Sequence, residues 1–145
     1  MKGSKVLWSG FVCLLWVACS GPNSASVAVR DAWVREPPGG HPIAAAYMTL
    51  TNESDRASAL VGAEASAAER VEMHSMTHEG GTMRMRQIER IELPVGQDVQ
   101  LQSGGLHLML MGMDDPPRAG DQVELTLRFA DGTEQTLRAP VRRGL

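Results

Sequence analysis

The sequence predicts an all-β fold, a β-sandwich of short antiparallel strands. Runs of alternating or β-branched residues recur along the chain, and glycine, proline and aspartate separate them, which is typical of strands joined by turns. The sequence contains no internal repeat and no convincing amphipathic helix. Many short strands with regular turns and few helices are typical of two antiparallel sheets that pack face to face.

The predicted strands all lie between residues 27 and 141. In chain order they are Val27–Arg35, Ala44–Asn52, Ala57–Ala65, Arg70–Met76, Met83–Ile91, Asp98–Leu101, Leu106–Met111, Gln122–Phe129 and Glu134–Val141. The predicted breaks are Glu36–Gly40, Glu79–Gly81, Ser103–Gly105, Asp114–Pro117 and Ala130–Gly132. The Asp131-Gly132 pair predicts a β-hairpin, because this dipeptide favours the positive φ angles of a tight turn.

The first 19 residues have the pattern of an export signal rather than of a folded segment. Lys2 and Lys5 form a basic start. The largely apolar stretch Val6–Ala18 is shorter than the roughly 20 residues of a comfortable membrane span. The segment Trp16–Cys19 resembles the lipobox of bacterial lipoproteins, in which the cysteine is lipidated and becomes the new N-terminus. We therefore predict a lipoprotein signal, with ordinary cleavage and secretion into the periplasm as the alternative.

Three regions are predicted along the chain. The signal occupies residues 1–19, a flexible tether of small and polar residues occupies 20–26, and a single domain occupies 27–145. The protein is expected in the bacterial periplasm or cell envelope, and it is expected to meet a membrane only through a lipid anchor on Cys19.

Composition excludes several classes of function. Both lysines lie in the signal, and the arginines beyond it are scattered, so no nucleic-acid-binding patch is expected. No cysteine occurs after Cys19. The domain therefore cannot contain an internal disulfide, a cysteine-based zinc finger or an iron–sulfur cluster. It also cannot build a blue-copper centre, which requires a cysteine thiolate beside two histidines.

Four soft-metal ligands provide the main functional signal. His74, Met85, His107 and Met109 are separated by ten, twenty-one and one residues, and seven of the nine methionines lie between positions 73 and 113. Methionine is also a common core filler, so packing is the alternative explanation for each residue alone. Two imidazoles and two thioethers suit Cu(I), whereas calcium, magnesium and manganese prefer carboxylates. We therefore predict a copper site, with copper as cargo.

Strand geometry supports this grouping. His107, Met109 and Met111 alternate with leucines, so these three residues are predicted to share one face of their strand. A buried histidine without a partner would be costly, which favours a site over simple packing.

The other two predicted ligands depend on one turn. If Gly80-Gly81 is a two-residue turn, Met76 faces Met85 and His74 lies diagonal to Met85 on the same face. A loop with an odd number of residues would separate His74 from Met85, and the glycines permit a bulge.

The sequence resembles the PCuAC family, small periplasmic Cu(I)-binding accessory proteins with a cupredoxin-like fold. The resemblance covers essentially the whole domain. It rests on the four spaced ligands and on the segments Arg30–Arg35, Ala44–Asn52, Val71–His74, Met83–Arg86 and Gly104–Gly112. It implies a Greek-key β-sandwich and one Cu(I) held near the surface by His74, Met85, His107 and Met109. It also implies delivery of copper to the periplasmic copper-binding subunit of cytochrome c oxidase. Other oxidase-assembly factors are expected as further partners.

The function expected from the sequence is therefore a periplasmic Cu(I) metallochaperone for oxidase assembly, without enzymatic activity. Copper scavenging or tolerance, with no dedicated recipient, is the alternative. A copper enzyme or an electron-transfer protein is disfavoured, because cysteine is missing and the ligand set includes no carboxylate. A purely structural envelope domain is the remaining alternative.

Overall fold

A computed structural model describes residues 26–144 of the chain. The strands are β1 (Val27–Arg35), β2 (Ile43–Asn52), β3 (Ser58–Ala65), β4 (Arg70–Glu79), β5 (Thr82–Ile88), β6 (Ile91–Leu93), β7 (Asp98–Leu101), β8 (His107–Met111), β9 (Gln122–Phe129) and β10 (Glu134–Arg142). Within this part of the chain no helix is long and apolar enough to cross a membrane. The predicted signal, its lipobox at Cys19 and residues 20–25 of the tether lie outside the described residues.

The strands form two groups. The first runs in the order β5-β4-β8-β2-β1, with β7 also paired to β2, and the second runs β10-β9-β3-β6. A short parallel pairing of β1 with β10 joins the groups, and the other ladders are antiparallel. The predicted all-β architecture is confirmed, with this parallel pair as the departure from a purely antiparallel arrangement.

Alternation along the strands builds the core. On β8, Leu108 and Leu110 are completely buried, and on β9 the same is true of Leu125 and Leu127. Full burial of one leucine contributes about 1.5–3 kcal/mol relative to exposure. Since successive side chains on a strand point to opposite faces, the intervening residues of β8, including Met109, lie on the face directed away from this core.

The turn between β4 and β5 has two residues, which is the condition for His74 and Met85 to share a face. Glu79 pairs with Thr82, and Gly80 and Gly81 occupy the turn with φ angles of 58° and 79°. Type I′ hairpin turns require positive φ at both central positions, which glycine adopts without a steric cost. The even loop therefore keeps alternate residues of the two strands in register on shared faces.

The single strand predicted at Met83–Ile91 is wrong. Strand β5 ends at Ile88, and Ile91–Leu93 forms β6, which pairs with β3 in the other group. The reason is burial. Residues 82–87 of β5 are exposed, whereas Ile91 and Leu93 are 2% and 0% exposed, so continuing along the edge would leave two large apolar side chains in water. Strand β4 also extends three residues beyond its predicted end at Met76.

Candidate metal centre

Two histidines meet at the centre of the candidate site. In the antiparallel pairing of β4 with β8, His74 lies directly opposite His107, and their ring centroids are 5.7 Å apart. Met109 follows His107 by two residues on β8 and therefore shares its face. Neighbouring strands thus bring together three of the four residues predicted from their spacing.

Met85 reaches the same face from the edge strand. It lies opposite Met76 in the β4–β5 hairpin, and Met76 is two residues from His74. Diagonal neighbours in an antiparallel pair are about 7–8 Å apart, within reach of a long thioether side chain. All four predicted ligands consequently lie on one face of the adjacent strands β5, β4 and β8.

Burial decreases across the site. His107 is 4% exposed and the side chain of His74 is 12% exposed, whereas Met85 at the edge is 45% exposed. Met109 is half-buried. The two imidazoles are therefore shielded from solvent, whereas the thioether of Met85 is exposed at the sheet edge, where solvent or another protein can approach.

A backbone contact fixes the orientation of His107. Its Nδ1 lies 3.0 Å from the carbonyl oxygen of Gly105. A carbonyl can only accept, so Nδ1 carries the hydrogen and Nε2 keeps the lone pair in the neutral ring. Nε2 is therefore the nitrogen that His107 can offer to a metal.

Glu72 fixes the orientation of His74 through the other ring nitrogen, Nε2. The carboxylate oxygen Oε2 of Glu72 accepts a hydrogen bond from Nε2 of His74 at 2.9 Å. Arg70 donates from Nε to the other carboxylate oxygen at 3.0 Å. The Nδ1 atom of His74 is buried and has no hydrogen-bond partner within residues 26–144. A buried nitrogen with an unused lone pair is costly unless something binds it, so this atom fits a metal ligand.

Charge in this cluster supports the same arrangement. The hydrogen bond from His74, and then the one from Arg70, hold the pKa of Glu72 below its ordinary value. The carboxylate is therefore ionised at neutral pH and accepts the Nε2–H of His74 strongly. Metal-bound histidines commonly donate their second N–H to a carboxylate or a carbonyl, and His74 and His107 have one partner of each kind.

The donor set limits which ions fit. In residues 26–144 no group of three or more histidine, cysteine, aspartate or glutamate side chains is placed to hold an ion. Apart from Glu72 and His78, the other metal-ligating side chains that share the face of His74 and His107 are the thioethers of methionines. Thioether and imidazole ligands suit Cu(I), and zinc sites normally use thiolate, imidazole or carboxylate instead.

The methionine-rich segment divides between two environments. Met73 and Met113 are buried in the core at 7% and 3% exposure. By alternation, Met76, Met83 and Met111 share the face of the candidate ligands. Sequence reasoning missed Glu72, although its position two residues before His74 already places it on the ligand face. It also missed the carbonyl of Gly105, which carries no side-chain signal.

Sequence comparison identifies relatives over almost all of the described chain. The sequence profile of the family described as "LpqE-like: Putative lipoprotein LpqE-like" matches residues 27–141. A protein of Leifsonia xyli subsp. xyli named "Putative lipoprotein Lxx21020" is 32% identical over 123 residues, which cover 84% of this chain and 73% of that protein.

Solved structures resemble the whole sandwich. The "Copper-bound PCuAC domain from PmoF2" is 26% identical with a TM-score of 0.68, and the match covers 82% of this chain and 94% of that domain. The "Solution structure of CuI-DR1885 from Deinococcus Radiodurans" is 33% identical with a TM-score of 0.67, covering 88% of this chain and 87% of that one. These matches confirm the predicted cupredoxin-like β-sandwich.

Proposed function

We propose that this chain, which belongs to the LpqE-like family, is a Cu(I) carrier of the bacterial cell envelope without catalytic turnover. The observation that carries the proposal is the His74–His107 pair. Nε2 of His74 and Nδ1 of His107 are hydrogen-bonded, to Glu72 and to Gly105, so Nδ1 of His74 and Nε2 of His107 each keep a lone pair in the neutral ring. The relatives that the chain resembles include a copper-bound PCuAC domain and a Cu(I)-bound protein.

The proposed coordination uses Nδ1 of His74, Nε2 of His107 and the sulfur atoms of Met85 and Met109. Uncharged thioethers favour Cu(I) over Cu(II), because Cu(I) is the softer ion. The described residues contain no cysteine, so no thiolate holds the ion against transfer. At 45% exposure, Met85 is the proposed ligand that a recipient can displace first.

The binding proposal is tested by anaerobic titration of the purified protein with Cu(I) in competition with a chromophoric chelator. We expect one tightly bound Cu(I), with nitrogen and sulfur neighbours in X-ray absorption spectra. Replacing both His74 and His107 with alanine should abolish tight binding. Replacing the exposed His41, which lies outside the site, should leave it unchanged. Equal or tighter binding of zinc in direct competition would contradict the proposal.

Location and delivery form the finer part of the proposal. The family description and the Leifsonia relative both carry the name lipoprotein, which supports lipidation of Cys19 on the periplasmic side of a membrane. We propose that the recipient is the copper centre of cytochrome c oxidase, as the resemblance to PCuAC proteins implies. Delivery is tested by mixing the Cu(I)-loaded protein with the reduced soluble domain of the oxidase subunit and following absorption of its copper centre. Complete retention of copper would leave scavenging or tolerance as the role.

A further inference from the structure

The β4–β5 hairpin carries more soft ligands than the four-residue site uses. His78 lies directly opposite Met83 near the turn, and Met76 lies opposite Met85 one step further in. Alternation puts both pairs on the same face as His74. Two successive cross-strand pairs of soft ligands therefore run from the tip of the hairpin to the proposed copper site.

Core packing does not account for three of these four side chains. Met83 is 55% exposed and Met85 is 45% exposed, and His78 is exposed as well. The core-filling role of methionine applies to buried positions such as Met73, which is 7% exposed. Thioethers that remain in solvent on an edge strand contribute little to the core, so their placement calls for another explanation.

Charge on the hairpin is divided between its two faces. Arg84 and Arg86 alternate with Met83 and Met85 along β5 and therefore lie on the opposite face. Between His74 and the turn, the ligand face of the hairpin contains no arginine among residues 74–87. A cation can therefore approach the thioether face without meeting a fixed positive charge on that face.

The side chain of Met83 lies along this face. Its methyl carbon is 3.9 Å from the position that a Cβ atom at Gly104 would occupy, in the loop that precedes β8. The thioether thus reaches from the edge strand across β4 toward the strand that carries His107, in the direction of the proposed copper site.

We propose that His78, Met83 and Met76 form a second, exposed site for Cu(I), which acts as the entry port of the proposed carrier. Directly opposite residues have Cβ atoms about 4.5–5.5 Å apart, and residues two apart on a strand are about 7 Å apart, so three such side chains can converge on one ion. This inference rests on the proposed function, because the port loads the His74–His107 site.

Transfer along the hairpin requires only ligand exchange. Cu(I) bound by His78, Met83 and Met76 gains the sulfur of Met85, which lies opposite Met76, and releases His78 and Met83. The imidazoles of His74 and His107 and the sulfur of Met109 then replace Met76. Copper remains Cu(I) throughout, so the sequence of steps needs neither an oxidant nor a reductant.

The test compares two double variants of the intact protein. One replaces His78 and Met83 with alanine, and the matched control replaces Thr77 and Arg84, the neighbouring cross-strand pair on the opposite face. Both pairs are exposed, so neither change removes core packing. Anaerobic stopped-flow mixing with a Cu(I)–bicinchoninate complex measures loading, and methyl NMR of the methionines follows a titration with Cu(I).

We expect the wild-type protein to bind a second, weaker Cu(I) that shifts the methyl signal of Met83. In the His78/Met83 variant the second ion should be lost and loading should slow by about tenfold or more, with affinity for the first ion unchanged. The control should behave as the wild type. The proposal of an entry port is wrong if the wild-type protein binds only one Cu(I), or if loading slows equally in the control variant. If the wild-type protein does not bind the first Cu(I) at all, the proposed function itself is wrong.

Discussion

Replacing Glu72 with alanine removes the carboxylate that accepts the Nε2–H of His74 at 2.9 Å. This hydrogen bond selects the tautomer with a lone pair on Nδ1, a buried atom that has no hydrogen-bond partner in the described part of the chain. Without Glu72 the ring can rotate or exchange tautomers. Part of the free energy of copper binding would then be spent on restoring the productive orientation of the ring.

The expected magnitude follows from the position of the carboxylate. Loss of a group that orients a metal ligand typically costs about 10–100-fold in metal affinity. The side chain of Glu72 is 21% exposed, so water can replace part of the interaction. We therefore expect Cu(I) affinity to fall by about tenfold, the lower end of that range. Glu72→Gln should recover much of the loss, because its amide oxygen still accepts the hydrogen bond.

Two measurements decide this prediction. Competition with a chromophoric chelator gives the affinity, and ¹⁵N NMR of the imidazoles reports which nitrogen of His74 carries the hydrogen. Glu79→Ala is the matched control, since it removes the same charge from the same strand at a 54% exposed position beside the turn. An orienting role for Glu72 is refuted if Glu72→Ala leaves both the tautomer and the affinity unchanged, or if Glu79→Ala lowers the affinity equally.

Three further predictions concern ligand choice, anchoring and stability. Met109→Ala should weaken Cu(I) binding far more than Met111→Ala in the chelator assay, and equal effects would contradict the assignment of Met109 as the ligand. Cys19→Ser should release the protein from the membrane fraction into the soluble periplasm, and wild-type protein that is already soluble there would contradict lipidation. The hydroxyl of Thr133, and to a smaller extent its backbone N–H, donate hydrogen bonds to Asp131 and hold its pKa below the ordinary value of 3.8. Its ionised form therefore stabilises the fold above that value, and this contribution is lost as pH falls through the lowered pKa. Asp131→Asn should accordingly lower the thermal midpoint more at about pH 7 than at about pH 2, and an equal decrease at both would refute the linkage.

The local features of the strands and turns could be predicted from the amino-acid sequence. Alternation of His107 and Met109 with buried leucines predicted which side chains share a face, because a strand has a period of two residues. The glycines at 80 and 81 permitted the two-residue turn that puts Met85 on the face of His74, and they equally permitted a bulge. The ligand set His74, Met85, His107 and Met109 came from spacing and resemblance, and it stays a prediction.

Tertiary structure decided which strands are neighbours, and with them the chemistry of the site. Strands β4 and β8 are separated by more than twenty residues, so their local patterns could not place His74 opposite His107. The lone pair on Nδ1 of His74 also depends on the hydrogen bond between its Nε2 and Glu72. A sequence pattern shows that the two residues share a face, but not that they are within hydrogen-bonding distance. The departure of the chain into β6 at Ile91 was likewise hidden, because burial of Ile91 depends on the opposite sheet. Side-chain alternation follows from the geometry of one strand, whereas strand partners follow from minimising exposed apolar surface over the whole chain.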